Sequence, residues 1–270
     1  MPVIEIKNAA FDYGDRNIFH DINLAIGKGE VFCLLGPNGS GKTTFLDCVL
    51  GANRLKSGNI AVEGTDISSM GPRKLARLIS CVPQRHESTF PYSVMDITLM
   101  GRVAYTGMFS APSSNDREIA AEALKLTGVY HLKERPYTLL SGGELQLVMI
   151  ARALAQDTGI IVMDEPTAHL DFRHELVVLE AIAGLVDKKG ISVLMATHFP
   201  NHAFYFEDSG IKIKTALLKN GKFIAEGTPG DILDERRIED LYGVKSGIFS
   251  YRENGGKERK RIIPVKTVKQ

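Results

Sequence analysis

A chain of 270 residues with 44% hydrophobic and 24% charged side chains has the composition of a folded globular protein, which excludes a disordered, collagen-like or fibrous class. The length fits one large α/β domain carrying an inserted subdomain. The net charge of +1 is uneven: residues 251–270 hold seven Lys/Arg against two Asp/Glu, leaving −4 on residues 1–250, and this basic tail reads as a solvated, poorly ordered terminus, with contact to nucleic acid or anionic lipid as the alternative.

Met1–Ala10 alternates like a strand and lacks the apolar core of a secretory leader. The apolar runs Val31–Leu35, Ile160–Met163 and Ile191–Ala196 fall far short of the ~20 residues that cross a bilayer, so a cytoplasmic placement is expected. Val3–Lys7 and Ile22–Ile26 predict two half-exposed strands, and Gly27-Lys28-Gly29 turns the chain into a buried strand, Glu30–Leu35. Gly36–Gly41 is a glycine-rich loop, and Lys42–Leu50 has helical spacing with Phe45, Leu46 and Val49 on one side. A strand at Asn59–Val62, a short basic helix at Arg73–Leu78 and a strand at Ile79–Pro83 follow. From Arg85 to about Ala155 helical patterns dominate (Ser93–Met100, Asp116–Leu126, Gly143–Leu154) with a Pro/Ser-rich loop at Ala111–Asn115, which predicts an inserted helical subdomain. Gly159–Met163 and Ile191–Thr197 are continuously apolar, as parallel strands buried on both faces are, and a helix at Arg173–Val186 separates them. Asn220-Gly221 predicts a type I′ hairpin within Leu217–Glu226. Cys33, Cys48 and Cys81 are widely spaced and sit in apolar segments, so they read as buried thiols.

Gly36-Pro37-Asn38-Gly39-Ser40-Gly41-Lys42-Thr43 fits G-x-x-x-x-G-K-[ST] between a strand and a helix. Its glycines let backbone amides face a phosphate, the helix N-terminus adds positive potential, Lys42 supplies a mobile cation, and the Thr43 hydroxyl can ligate Mg2+. Ile160–Glu165 ends an apolar strand on two carboxylates, where open α/β sheets bind ligands. Asp164 would hold Mg2+ through water, and Glu165 would take a proton from the attacking water. These two sites describe any P-loop NTPase.

Leu140-Ser141-Gly142-Gly143-Glu144 opens a helix with Ser141 as its cap, and Ile150-Ala151-Arg152-Ala153-Leu154 and the Asp164-Glu165 strand follow. In this order the motifs resemble the ABC ATPase family over roughly residues 3–235. The resemblance implies an α/β fold: a P-loop NTPase (RecA-like) core with an antiparallel β subdomain and an inserted helical subdomain. The expected division is residues 1–84 and 156–245 for the α/β core, 85–155 for the helical subdomain and 246–270 for the basic tail. Tyr13 resembles the aromatic that stacks on adenine, and Gln84, after Cys81-Val82-Pro83, the glutamine that reaches Mg2+ and the water. Ala168-His169-Leu170-Asp171 resembles the D-loop, and His198 the switch histidine at the γ-phosphate. His198 and His202 share metal-like spacing, but Pro200 argues against one helix presenting both. Glu144 stands where glutamine is common; a carboxylate accepts but cannot donate, and its charge near a nucleotide leaves the strength of nucleotide-driven closure open.

The resemblance further implies a head-to-tail homodimer in which Gly36–Thr44 of one copy and Ser141–Gly143 of the other, with Glu144 and Asp171 alongside, enclose each ATP and its Mg2+. Lys42 and Mg2+ would offset phosphate charge, Glu165 would deprotonate water, and Gln84 and His198 would position it, giving ADP and phosphate. Ser93–Arg102 followed by Ala104-Tyr105, and the loop Phe109–Asp116, resemble the ATPases of iron-siderophore, haem, cobalamin and molybdate importers, although Pro is common where Ala104 stands. The expected role is thus the ATPase subunit of an importer, first of iron-siderophore or a related metal chelate, lying on the cytoplasmic face of the plasma membrane. Its partners would be two transmembrane permease subunits and, indirectly, an extracytoplasmic binding protein, with no nucleic acid. The alternative of another class is a soluble ABC ATPase acting on ribosomes or DNA, but ribosomal members usually carry two cassettes and chromosome-type members a long coiled coil. A P-loop small-molecule kinase leaves residues 140–154 and His198 unexplained.

Overall fold

Alternating apolar residues pair β1 (Ile4–Tyr13) with β2 (Arg16–Ile26) as an antiparallel ribbon that buries Ile4, Ile6, Ile22, Leu24 and Ile26. The structure is a computed structural model and describes residues 1–84, 90–106, 111–252, 256 and 258–268. β3 (Val31–Leu35) is buried throughout and leads into α1 (Lys42–Val49). β4 (Ser57–Val62) returns against β1, and β5 (Thr65–Asp66) completes an antiparallel sheet ordered β2-β1-β4-β5. α2 (Pro72–Leu75) is shorter than the expected Arg73–Leu78 helix, because the Ala76 carbonyl accepts from the Gln156 side chain at 2.5 Å instead of from a further turn. β6 (Ile79–Val82) follows.

The inserted helices are α3 (Val94–Leu99), α4 (Ser114–Leu126) and α5 (Gly142–Ala155). Each begins with a reciprocal capping box: Ser93 with Asp96, Ser113 with Asp116, and Ser141 with Glu144. The second box starts α4 at Ser114, so Ser114 and Asn115 belong to the helix and not to the expected Ala111–Asn115 loop. The expected start of the subdomain at Arg85 and part of the Phe109–Asp116 loop lie outside the described residues. Val94, Ile97, Ala120, Leu124, Leu147 and Ile150 bring the three helices into one core.

β7 (Ile160–Asp164) precedes α6 (Phe172–Lys189), which outruns the expected Arg173–Val186 because Asp171 caps its start and left-handed Gly190 (φ 66) closes its end. β8 (Ser192–Thr197), α7 (Pro200–Asp208), β9 (Ile213–Lys219) and β10 (Lys222–Gly227) follow, and Asn220 and Gly221 turn the last pair with φ 49 and 75, as a type I′ turn requires. The central sheet has the order β10-β9-β3-β8-β7-β6 and is parallel except for β10. β3, β7 and β8 are buried at every position. Val31, Cys33 and Leu35 face the core shared with α5 and α6, and Phe32 and Leu34 face the core shared with α1 and the antiparallel sheet. All three cysteines are free, and burial pushes the Cys33 and Cys48 thiols up to about 12. Among the described residues no helix is long and apolar enough to cross a membrane.

After α8 (Pro229–Ile232) and α9 (Glu235–Tyr242), the chain corrects the expectation of a poorly ordered tail: β11 (Val244–Arg252) and β12 (Glu258–Thr267) form an antiparallel hairpin. Ile262, only 6% exposed, anchors it in the core. Asn201 clamps the Ile262 backbone with bonds of 3.0 and 2.8 Å, and Arg261 pairs with Asp208 at 2.7 Å.

Candidate functional site

Strands β3, β8, β7 and β6 are neighbours and parallel, so the loops beyond their carboxyl ends open on one side of the sheet. β3 leads to Gly36–Thr43, β8 to His198, β7 to Asp164 and Glu165, and β6 to Gln84.

Gly41 sits at φ 99, and a Cβ there would lie 2.9 Å from Ile18 Cγ2, so only glycine fits the turn into α1. Lys42 folds back over the loop: Nζ donates to the Gly36 carbonyl at 2.7 Å and the Pro37 carbonyl at 3.1 Å, and lies 3.6 Å from Glu165 Oε1. Burial lowers its pKa, and the Glu165 charge opposes that shift. Glu165 is 8% exposed and holds a left-handed φ of 45, a strain of about 1–2 kcal/mol, with its N–H donated to the Ala196 carbonyl of β8 at 2.9 Å. A carboxylate only accepts, so His198 Nδ1–H donates to Glu165 Oε2 at 2.8 Å, and Gln84 Nε2 approaches the same oxygen at 3.5 Å. Lys42, Gln84 and His198 therefore meet on one buried carboxylate.

The Thr43 side chain opposes the upward shift that burial gives Asp164, whose Oδ1 is buried without a partner. Burial raises the Asp164 pKa. A buried carboxylate oxygen with no donor, beside a hydroxyl, fits a hard divalent cation that takes its remaining ligands from water and phosphate.

Tyr13 is 52% exposed, with its ring edge-to-face on Phe11 at 4.8 Å and its hydroxyl accepting from Asn53 at 3.2 Å. Its strand partner Arg16 lines a cavity of about 800 Å3 with Asn17, Pro37, Asn38, Gly39 and Ser40. Arg16 and the glycine loop thus border one opening, which Tyr13 itself does not line. Thr44, on the first turn of α1, is half-buried.

Ser141 Oγ donates to Glu144 Oε2 at 2.9 Å, the Ser141 N–H donates to the same oxygen at 2.8 Å, and the Glu144 N–H returns to Oγ at 3.3 Å. These bonds hold the Glu144 carboxyl below its ordinary value. Gly142 lies against Leu170, and a Cβ on Gly143 would fall 2.2 Å from the His174 ring. Asp171 caps α6 by accepting from the His174 N–H at 2.9 Å, and its other oxygen meets His174 Nδ1 at 2.8 Å. Ser141–Glu144 and Leu170–His174 therefore share one surface. Among the described residues no hydrogen bond or ion pair runs directly from Ser141–Glu144 or Leu170–His174 to Lys42, Gln84, Glu165 or His198. His202 points away from His198: Nδ1 lies 3.0 Å from Thr197 Oγ1 and Nε2 2.7 Å from Glu175 Oε1. Sequence reasoning overlooked that link, because Glu175 and His202 lie 27 positions apart and carry no shared motif.

Residues 19–168 match the family model for ABC transporters. Among curated relatives, the iron(3+)-hydroxamate import ATP-binding protein FhuC of Bacillus subtilis (strain 168) is 34% identical over 250 residues, 93% of this chain and 91% of that protein. The molybdate import ATP-binding protein MolC of Haemophilus influenzae is 37% identical over 242 residues, 88% of this chain and 87% of that protein. Among solved structures, an inward-facing putative metal-chelate type ABC transporter superposes with a TM-score of 0.86 at 32% identity, covering 98% of both chains. A dimeric ATP-binding cassette in a post-hydrolysis state, bound to ADP and Pi, gives a TM-score of 0.70 at 26% identity over 84% of this chain and 98% of that one.

Proposed function

The chain belongs to the ABC transporter family and is its ATP-binding, ATP-hydrolysing component, and we propose that it energises a metal-chelate importer, for iron-siderophore complexes ahead of molybdate, haem or cobalamin. The observation that carries the catalytic reading is the meeting of Lys42, Gln84 and His198 on Glu165. Tyr13 stacks on adenine, the amides of Gly36–Thr44 surround the phosphates, and the Lys42 ammonium offsets their charge. Thr43 and Gln84, with Asp164 through water, would hold magnesium, whose charge would polarise the phosphates. Glu165 takes a proton from the attacking water, while His198 and Gln84 hold that carboxylate and the water in line.

Ser141–Glu144 stands apart from the Lys42–Glu165 cluster, which suits a homodimer in which Ser141–Gly143 of a second copy close over the nucleotide, with Asp171 and Glu144 setting the shape of that surface. A cavity of about 450 Å3 lined by Leu75, Cys81, Met100, Gly101 and Arg152 lies between core and helical subdomain, beside exposed Val103. In the homodimer this groove on each copy suits a helix from one of two transmembrane permease subunits. The chain then lies on the cytoplasmic face of the membrane, and an external binding protein that selects cargo touches only the permease. The proposed division is residues 1–84 and 156–245 for the core and 85–155 for the helical subdomain; the hairpin begins at Val244, before the expected boundary at 246, and packs on the core through Ile262. The test is recovery of tagged Glu165→Gln chain from native membranes in Mg-ATP. A multi-spanning permease is the expected companion; ribosomes or DNA-repair proteins without one would contradict the transporter reading.

A further inference from the structure

We propose that Glu175 and His202 are positioning residues for His198, tying the Asp171 end of α6 to the loop that presents the switch histidine; this rests on the role given to His198 above. The connection is continuous. Glu175 lies on the first turn of α6, and its N–H donates to the Asp171 carbonyl at 2.9 Å. Its carboxylate only accepts, so His202 Nε2–H donates to Oε1 at 2.7 Å. With the ring proton on Nε2, Nδ1 is an acceptor, and the Thr197 hydroxyl donates to it at 3.0 Å. Thr197 Oγ1 in turn accepts from the Phe199 N–H at 3.1 Å. The two residues that flank His198 are thereby fixed to each other and, through His202, to α6.

His202 is 1% exposed and Thr197 1%, so each polar atom of this chain depends on the next for its partner. The Phe199 ring lies between the two imidazoles, with centroids 3.9 Å from His198 and 5.3 Å from His202, so a shift of His202 is felt at His198 by contact as well as through Thr197. Asp171 and Glu175 belong to the helix whose His174 packs against Gly143. Any movement of the Ser141–Gly143 surface therefore reaches His198 through packed and hydrogen-bonded groups.

Steady-state hydrolysis of Mg-ATP by the full-length chain reads this out. Glu175 is one-third exposed (side-chain exposure 34%), but Glu175→Ala strips buried His202 of its acceptor. Thermal melting of each variant therefore accompanies the kinetics, and Glu175→Gln, which keeps an acceptor, is the control that separates positioning from loss of fold. Glu175→Ala lowers kcat roughly three- to thirtyfold, a span typical of coupling through such a network. KM for ATP changes by less than about twofold, since nucleotide contacts are intact. Glu175→Gln keeps most of kcat, because its amide oxygen still accepts from His202. Unchanged kcat in Glu175→Ala, or equal loss in Gln and Ala, overturns the proposal. His198→Ala separates the two levels: normal turnover there removes the role of His198 itself and the proposal with it, whereas loss there with none in Glu175→Ala removes the positioning link alone.

Discussion

Asp116 does two jobs at once. One oxygen takes the Ser113 N–H and hydroxyl that open α4, and the other takes Arg102 Nε at 2.9 Å. Arg102 Nη1 donates to the Ala155 carbonyl at 2.8 Å, and the guanidinium lies 4.1 Å from the Tyr105 ring centre, so one buried cation joins the segment after α3 to α4 and α5. Hydrogen bonds from Ser113 and then from Arg102 lower the Asp116 pKa from 3.8 to about 2. A depressed carboxyl contributes its stability above its unfolded pKa and loses it as pH falls through the folded one. In urea titrations Asp116→Asn is therefore less stable than wild type at pH 6, and the gap closes as pH drops from 3.8 toward about 2. A gap independent of pH would show that the carboxylate charge is not what Ser113 and Arg102 hold.

At the scale of elements, the three inserted helices owe their starts to the same short-range device, serine followed three positions later by an acid. This explains Glu144 without reference to nucleotide: it completes the cap of α5. Glu144→Ala should cost about 1 kcal/mol, seen as a fall of about 2–4 °C in the melting temperature. Glu144→Gln should lose less than half as much, since glutamine also completes a capping box. A loss in Gln as large as in Ala would mean that the charge, near Arg135 at 3.9 Å, matters more than the cap. The pattern Ser-x-x-Glu was visible in the sequence, whereas the hairpin of β11 and β12 was not. Its Lys and Arg residues break up the apolar pattern, and among the described residues Ile262 alone of its side chains is buried, with Ile248 packed partly against the core. The Glu175–His202 contact was equally hidden, because two turns of different helices meet only after β8 is inserted beside β7.

For the whole molecule, the order β3-β8-β7-β6 brings together loops from four distant stretches of sequence. The apolar runs announced those strands and the glycine loop and paired acids announced their chemistry, but their adjacency is a property of the sheet. The convergence of Lys42, Gln84 and His198 on Glu165 follows from it, while Ser141–Glu144 lies apart from that cluster, against Leu170 and His174. The proposed mechanism turns on Glu165 as its base. Nucleotide binding and single-turnover hydrolysis by Glu165→Gln test it most directly. The predicted result is ATP binding like that of wild type with hydrolysis slowed ~10²- to 10⁴-fold; hydrolysis at the wild-type rate would contradict it.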